Sequence, residues 1–244
     1  MTTKLMTPKA EATTADKIQA ALTTRYRADL IASLPTHLSA DGYAKAICGL
    51  LQAKPEVLKC TKESLLTSIM AAARSGLDPA AGGFYFVSMG NDCQMMLSYK
   101  GMIQIARDSG HVLDCYARVV REGDSFAWSQ GGQEDIAHIP SVDENRALQP
   151  ITHVYAVGVL ASGLTIFECW CRAKIDAHVA KTVKGASNKN SPWVKDFEAM
   201  AKKTVIKQFF HSGRLPLSTR AVETDAATTS DEATTSDTAE GLTV

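Results

Sequence analysis

The chain has 244 residues, 45% of them hydrophobic and 21% charged, which is enough to bury a substantial core. Its 26 basic and 26 acidic residues cancel, a balance that taken alone argues against a polyanion as partner. No apolar run approaches the roughly 20 residues of a membrane helix. Six cysteines without a Cys-x-x-Cys pair are expected to be reduced, mostly buried thiols of a cytoplasmic protein.

The neutral total hides an uneven distribution of charge. Residues 221–244 hold six acidic and no basic residues, so the other 220 residues carry 26 basic against 20 acidic ones. Between Arg172 and Arg214 there are ten basic residues and three acidic ones, a balance of +7. A polyanion partner therefore remains compatible with the sequence, if it binds near residues 172–214.

Both ends of the chain have a composition unlike the middle. Residues 1–15 are rich in Thr, Ala and Lys without an apolar period, so we expect a flexible arm. The acidic Ala/Thr/Ser-rich residues 221–244 are expected to form a disordered tail, solubilising or in contact with a partner. We expect residues 16–220 to form one folded domain.

The first half of that domain predicts helices and a hairpin. Apolar periodicity favours three helices, over residues 22–34, from the cap Ser39 to residue 53, and from Thr61 to Gly76. Two short apolar runs, 84–88 and 93–98, are separated by a Gly-Asn turn signal and predict a β-hairpin. A further helix is expected over residues 99–108.

The second half predicts strands, followed by helices. Strand patterns cover residues 112–120, 126–129, 136–139, 151–160 and 164–171, with a flexible connection over residues 140–150. A short helix from Arg172 and a Lys/Gly/Ser/Asn loop over residues 182–190 come next. This order predicts an α+β fold with N-terminal helices and a mainly antiparallel sheet core against which helices pack.

Residues 191–207 predict one continuous helix with a defined start. Ser191 suits the cap and Pro192 the first turn. At 100° per residue, an apolar stripe faces the core: Val194, Phe197, Ala201 and Val205. Four lysines, Lys195, Lys202, Lys203 and Lys207, then form a row that is able to follow a polyanion. The plainer alternative is a solvated outer face.

The same segment resembles the C-terminal core motif of the RecT family, the phage-type single-strand DNA annealing proteins. Other landmarks of that family occur in order: Ser75-Gly76-Leu77-Asp78-Pro79, Cys93 to Ile103, Arg118 to Asp124, Thr152 to Val157 and Leu215-Pro216-Leu217-Ser218. The resemblance covers roughly residues 22–220. It departs from the family pattern at Ser98, where Gly is usual.

The resemblance implies binding of single-stranded DNA without ATP, and annealing of complementary strands through a duplex intermediate in homologous recombination. It also implies homo-oligomers, as rings or helical filaments. From the residues themselves we expect no catalytic residue, bound metal or cofactor. A phage exonuclease or a host single-strand-binding protein is the expected protein partner.

Candidate DNA-binding residues combine cations with flat side chains. They are Tyr99, Lys100, Arg107, Arg118, Arg121, Lys195, Lys202, Lys203, Lys207 and Trp193. Tyr99 and Lys100 precede Gly101 at a helix start, where backbone N–H groups attract phosphate. Arg107 is also suited to an ion pair between elements, and Trp193 to a place in the core. Arg118 and Arg121, three apart on a strand, point to opposite faces unless the strand bends.

Two other classes of protein remain open. The chain has no Gly-x-x-x-x-Gly-Lys-[Ser/Thr] loop and no Glu-x-Lys triplet, which argues against an ATP-driven motor and weakens the case for a metal-dependent nuclease. Glu122 with Asp124 is the nearest carboxylate pair, and we favour a role in the turn. The stronger alternative is an interaction module whose basic patch recruits another protein.

Overall fold

A computed structural model describes residues 13–132 and 134–215. Most of the predicted N-terminal arm and all of the predicted acidic tail lie outside these residues, so the domain boundaries at residues 15 and 220 stay predictions. The described chain falls into two compact units and passes from one to the other between Gly101 and Met102.

The predicted α+β fold class is confirmed by the elements. The helices are α1 (Thr14–Thr23), α2 (Arg27–Ser33), α3 (Ala40–Ala53), α4 (Lys62–Ser75), α5 (Tyr99–Asp108), α6 (Arg172–Thr182), α7 (Pro192–Lys195) and α8 (Phe197–His211). The strands are β1 (Phe84–Met89), β2 (Asp92–Leu97), β3 (Val112–Arg121), β4 (Ser125–Ser129), β5 (Asp135–Ile139), β6 (Ile151–Leu160) and β7 (Thr165–Cys171). All strand pairs are antiparallel.

The helices of the first unit begin and end at the residues that the sequence indicated, with one exception. Ser39 accepts a hydrogen bond from the N–H of Gly42 and caps α3, while Gly76, at φ 75°, ends α4. The single helix predicted over residues 22–34 is wrong, because α1 ends at Thr23. The hydroxyls of Thr23 and Thr24 donate to carbonyls one turn back, at Gln19 and Ala20, and such bonds compete with helix propagation.

In the first unit the β1–β2 hairpin packs against α4. Phe84 lies opposite Leu97 and the register continues to the turn at Gly90, which has φ 63°. The buried Ser68 on α4 donates its hydroxyl to the carbonyl of Cys93, at 2.8 Å. This bond ties the apolar face of the hairpin to the helix and satisfies a carbonyl that is shielded from water.

The second unit is built on a three-stranded sheet in the order β3–β6–β7. The β4–β5 hairpin covers one face, where Phe126 and Ile136 pack on a cluster that includes Tyr155 and Phe167. The opposite face lies against α8. At Gly158 the approach is so close that an added Cβ would lie 2.5 Å from the side chain of Leu215.

The continuous helix predicted over residues 191–207 is also wrong. At Asp196 the backbone leaves the helical region, with φ −145° and ψ 75°, and α7 ends one residue earlier. The Asp196 carboxylate accepts from the N–H of Ala199 at 3.0 Å and caps α8 as a separate helix. Val194, expected in the core stripe, is consequently 54% exposed, whereas Ala201 and Val205 are fully buried.

All six cysteines are free thiols, and five of them are buried as expected. Burial raises the pKa of the Cys93 thiol to about 11. It raises the pKa values of Cys115 and Cys169 to about 12. These thiols are therefore protonated and unreactive near neutral pH.

Gly101 offers a direct test of how closely the start of α5 packs against the backbone that precedes β1. An ideal Cβ at this position would lie 1.9 Å from the carbonyl oxygen of Gly83, which is backbone and cannot rotate away. We expect Gly101→Ala to lower the free energy of unfolding by more than about 2 kcal/mol in urea titrations. Gly49→Ala is the matched control, because nothing lies within 4 Å of its Cβ on the exposed side of α3. The control is expected to stabilise by up to about 1 kcal/mol, and equal effects at both sites would contradict the packing.

Candidate nucleic-acid interface

One side of helix α8 packs into the core, and the neighbouring flank of the helix carries lysines. Ala201, Val205 and Phe209 are fully buried on the side of α8 that packs against the sheet. Lys202, Lys203 and Lys207 follow on the flank of the same helix and are half-buried. Lys195 is exposed on α7, beyond the break at Asp196, so the helical spacing that placed it in line with Lys202 does not hold.

Glu198 links α8 to the end of β3. Its carboxylate accepts from the Arg121 guanidinium at 2.5 Å and from the Lys202 ammonium at 2.5 Å. Arg121 donates a further bond to the carbonyl of Gln149, at 2.7 Å. Two predicted site residues that are 81 positions apart, Arg121 and Lys202, are thus brought together by one carboxylate.

The charges of this network, Arg121–Glu198–Lys202, sum to +1 when all three groups are ionised. Burial opposes ionisation of Glu198, but its two cationic partners outweigh that effect and lower its pKa. The Arg121 side chain is only 13% exposed, against 33% for Lys202. Arg121 therefore positions the network, and Lys202 is its more accessible cation.

The acidic residues between Arg172 and Arg214 are all occupied within the chain. Asp176 pairs with Arg172 at 2.9 Å, Asp196 caps α8, and Glu198 is held as described. Acidic residues from outside the stretch pair with two more of its cations, Lys174 with Glu168 and Arg214 with Glu134. Four exposed lysines have no ion-pair partner in residues 13–132 and 134–215: Lys181, Lys184, Lys189 and Lys195.

Trp193 lies in the core, which is the place that the sequence favoured. It is 8% exposed and packs edge-on against Phe197 at 5.8 Å between ring centroids. The guanidinium of Arg172 covers the same Phe197 ring, 3.9 Å from its centroid. Through Trp193 on α7, these contacts join the start of α6 to the start of α8. They therefore fix the position of the N-terminal end of α8, the helix that carries Lys202, Lys203 and Lys207.

The two arginines of β3 lie on opposite faces of the sheet. Arg118 is paired in register with Tyr155, whose ring belongs to the face under the β4–β5 hairpin. Arg121 follows a register shift and reaches α8 on the other face. Arg118 is exposed, with its guanidinium 5.4 Å from the centroid of the Tyr116 ring. These two residues therefore do not share one surface.

Arg107 forms the inter-element ion pair that the sequence favoured. Its guanidinium on α5 contacts the carboxylate of Asp114 on β3, and both side chains are about half exposed. Exposed pairs of this kind contribute little to stability, about 0 to 1 kcal/mol. The pair leaves Arg107 accessible from solvent.

The start of α5, in the first unit, differs from the expected phosphate turn. Ser98 caps the helix: its hydroxyl accepts from the N–H of Gly101 at 3.1 Å and donates to the carbonyl of Gly82 at 2.8 Å. The close approach at Gly101 is to the backbone of Gly83. A glycine there is thus required by packing within the chain. Lys100 is exposed and Tyr99 is half-buried.

Asp124 is the centre of a buried polar network. Its carboxylate has no exposed surface and accepts two bonds from Arg146, both at 2.7 Å. It also accepts from the backbone N–H groups of Arg121 and Ser141, each at 2.8 Å. His138 lies 3.0 Å away and contacts the Tyr155 hydroxyl through its other ring nitrogen, also at 3.0 Å.

This network places Asp124 in the turn after β3, the role that the sequence favoured for it. The Arg146 guanidinium and the other donors hold the pKa of Asp124 well below its usual range. Residues 140–150, predicted as a flexible connection, are anchored by the same carboxylate. Within the described ranges no group of His, Cys, Asp and Glu side chains is arranged to hold a metal ion. None of the described helices has the length and apolar character needed to cross a bilayer.

A sheet carrying cations on a packed helix is compatible with a protein that handles DNA strands, and comparison with known proteins identifies which kind. The RecT family model matches residues 42–243. Protein RecT of Escherichia coli (strain K12) is 36% identical over 209 residues, covering 80% of this chain and 75% of that protein. The uncharacterized protein YqaK of Bacillus subtilis (strain 168) is 28% identical over 167 residues, covering 68% of this chain and 56% of that protein. The chain belongs to the RecT family, whose function is single-strand annealing in DNA recombination.

Sequence reasoning missed three side chains that define the site. The sequence assigned no role in the site to Glu198 or Arg146, because their partners Arg121 and Asp124 are 77 and 22 residues away. Tyr116 could have been found, since it stands two residues before Arg118 on a strand and so shares its face.

Asp124→Asn tests the buried network. The substitution removes the charge that balances Arg146, so we expect a loss of about 3 kcal/mol in the free energy of unfolding at pH 7. The folded pKa of Asp124 is lowered, so its contribution is full above the unfolded value of about 3.9 and fades as pH falls towards the folded pKa. The difference between wild type and variant in urea titrations should therefore shrink below about pH 4.

The exposed Asp135 of the same hairpin gives the control for this prediction. Asp135→Asn is expected to change the free energy of unfolding by less than about 0.5 kcal/mol at any pH. A pH-independent difference between Asp124→Asn and wild type would show that the charge of Asp124 is not what stabilises the unit.

Proposed function

We propose that this chain binds single-stranded DNA through its phosphates and anneals complementary strands without ATP, as a homo-oligomer in the cytoplasm and without enzymatic activity. Membership of the RecT family supports the annealing function. The absence of a P-loop sequence supports independence from ATP. A phage exonuclease or a host single-strand-binding protein is proposed as protein partner.

The observation that carries this proposal is that every acidic residue between Arg172 and Arg214 is bound by a donor within the chain. Asp176 and Glu198 are paired with cations and therefore repel an approaching phosphate less than free surface carboxylates would, while Asp196 caps α8. The ten basic residues of the stretch exceed its three acidic residues by seven, and two of the ten, Lys174 and Arg214, pair with acidic residues from outside it. Such a surface attracts a polyanion of any base sequence.

Annealing places a chemical requirement on this surface. The second strand reads the base edges of the first, so the protein must hold the first strand by contacts that leave those edges free. Lysine ammonium groups on phosphates meet that requirement, because they fix the position of the backbone and carry no base specificity. We therefore propose Lys202, Lys203, Lys207 and Lys195 as phosphate contacts, with Lys181, Lys184 and Lys189 beside them.

The size of the surface supports an oligomer. Helix α8 has 15 residues, which corresponds to a length of about 22 Å. One subunit therefore contacts a short piece of a strand, whereas a stable register between two strands needs many consecutive bases. Side-by-side copies, in a ring or a helical filament, extend the contact and bind the strand cooperatively.

Annealing of complementary oligonucleotides by the purified protein, without nucleotide and with or without magnesium, tests this function. We expect faster duplex formation and no degradation. Lys202→Ala plus Lys203→Ala should weaken strand binding equally for different base sequences. The variant should also flatten the dependence of log affinity on log salt, by up to about 1 unit for each phosphate that the protein no longer binds.

Lys17→Ala plus Lys62→Ala removes the same charge from exposed positions of the first unit and serves as control. Unchanged salt dependence in a folded Lys202/Lys203 variant would reject α8 as the phosphate-binding element. Degradation that requires magnesium would indicate a nuclease instead. Absence of any binding at low salt would favour a module that recruits another protein.

A further inference from the structure

Two half-exposed aromatic rings mark the sheet face that the β4–β5 hairpin covers. Tyr116 on β3 is 37% exposed and Trp128 on β4 is 41% exposed. The Trp128 ring packs edge-on against Phe167, at 6.4 Å between ring centroids, but much of its surface remains open. Partly exposed aromatic rings beside an apolar sheet are the usual surface for stacking bases.

The register of the sheet places both rings in one row. Tyr116 lies opposite Val157, and Val157 lies opposite Phe167 on the next strand. Directly paired residues have side chains on the same face, so Tyr116 and the Phe167–Trp128 pair flank Val157 on one surface. Two strand spacings separate the Cα atoms of Tyr116 and Phe167 by about 10 Å.

Arg118 adds a positive charge to the same surface. It stands two residues after Tyr116, is exposed, and holds its guanidinium over the Tyr116 ring. No carboxylate within residues 13–132 and 134–215 forms an ion pair with it. A guanidinium without an acidic partner beside exposed rings fits a ligand that has both flat bases and phosphates.

We propose that Tyr116, Arg118 and Trp128 form a platform on which bases of single-stranded DNA stack, with Arg118 at an adjoining phosphate. This inference rests on the proposed function and adds to it a contact with the bases. Stacking uses the flat faces of the bases and leaves their hydrogen-bonding edges open. The platform is therefore compatible with pairing to an incoming complementary strand.

The distribution of tryptophans makes the platform measurable. The chain has three tryptophans, and the other two, Trp170 and Trp193, are 6% and 8% exposed. Only Trp128 is thus open to stacking, so we expect saturating oligothymidine to quench the tryptophan fluorescence of the full chain. Trp128→Phe removes the one exposed indole, so it should abolish the quenching even at oligothymidine concentrations that saturate the variant. Quenching that persists in this variant, or is absent from the wild type, would overturn the proposal.

The second measurement separates bases from phosphates. Tyr116→Leu should bind a labelled oligothymidine at least about fivefold more weakly, because one base no longer stacks. Its affinity for an abasic oligonucleotide of the same length should not change, and Tyr116→Phe should restore binding to oligothymidine. Equally weakened binding of both oligonucleotides, or unchanged binding of both by a variant with wild-type thermal unfolding, would overturn the proposal.

These results are distinguishable from failure of the proposed function. If the wild type binds neither oligonucleotide at low salt, the annealing function fails. If it binds both with the same salt dependence, and neither Tyr116 nor Trp128 matters, the lysine surface stands and only the platform is rejected.

Discussion

The carboxylate of Glu198 is the group on which the proposed DNA surface depends. It holds the end of β3 through Arg121 and the flank of α8 through Lys202, both at 2.5 Å. The carboxylate also competes with phosphate for the Lys202 ammonium group, because the ion pair cancels part of the charge that Lys202 offers to a ligand. The same carboxylate aligns the start of α8 with the sheet.

Local signals were sufficient to predict most elements from the sequence. The caps at Ser39 and Thr61, the terminating Gly76 and the hairpin turn at Gly90 each act over a few residues, and all were found. The two errors in the predicted helices are both helix breaks, at residues 24–26 and at Asp196. In each case a side chain bonds to nearby backbone and competes with the helix, which apolar periodicity does not reveal.

The site was predicted less completely because its geometry depends on long-range pairs. The sequence located the lysines of α8 and placed the arginines of β3 on opposite faces of a strand, yet it gave no sign that Arg121 would meet Glu198. Nor could it separate Arg146, which holds a buried carboxylate, from arginines open to solvent. Partners of this kind become visible only when the sheet register is known.

Two chemistries then lie on opposite faces of one sheet. The α8 side offers ammonium groups for phosphates, and the hairpin side offers the rings of Tyr116 and Trp128 for bases. Both kinds of contact leave base edges unoccupied, which is what annealing requires. In the proposed oligomer, neighbouring copies provide a route by which one strand meets both faces.

The most direct test of the role of Glu198 is the salt-dependent binding of single-stranded DNA by Glu198→Gln. Glutamine keeps the shape of the side chain and removes its charge, so the Lys202 ammonium group becomes available to phosphate, while Arg121 stays largely buried. We expect tighter binding at low salt and a steeper salt dependence than in the wild type, whereas Glu144→Gln, at an exposed position, should have a smaller effect. Unchanged or weaker binding by a folded Glu198→Gln variant would contradict the proposed phosphate surface.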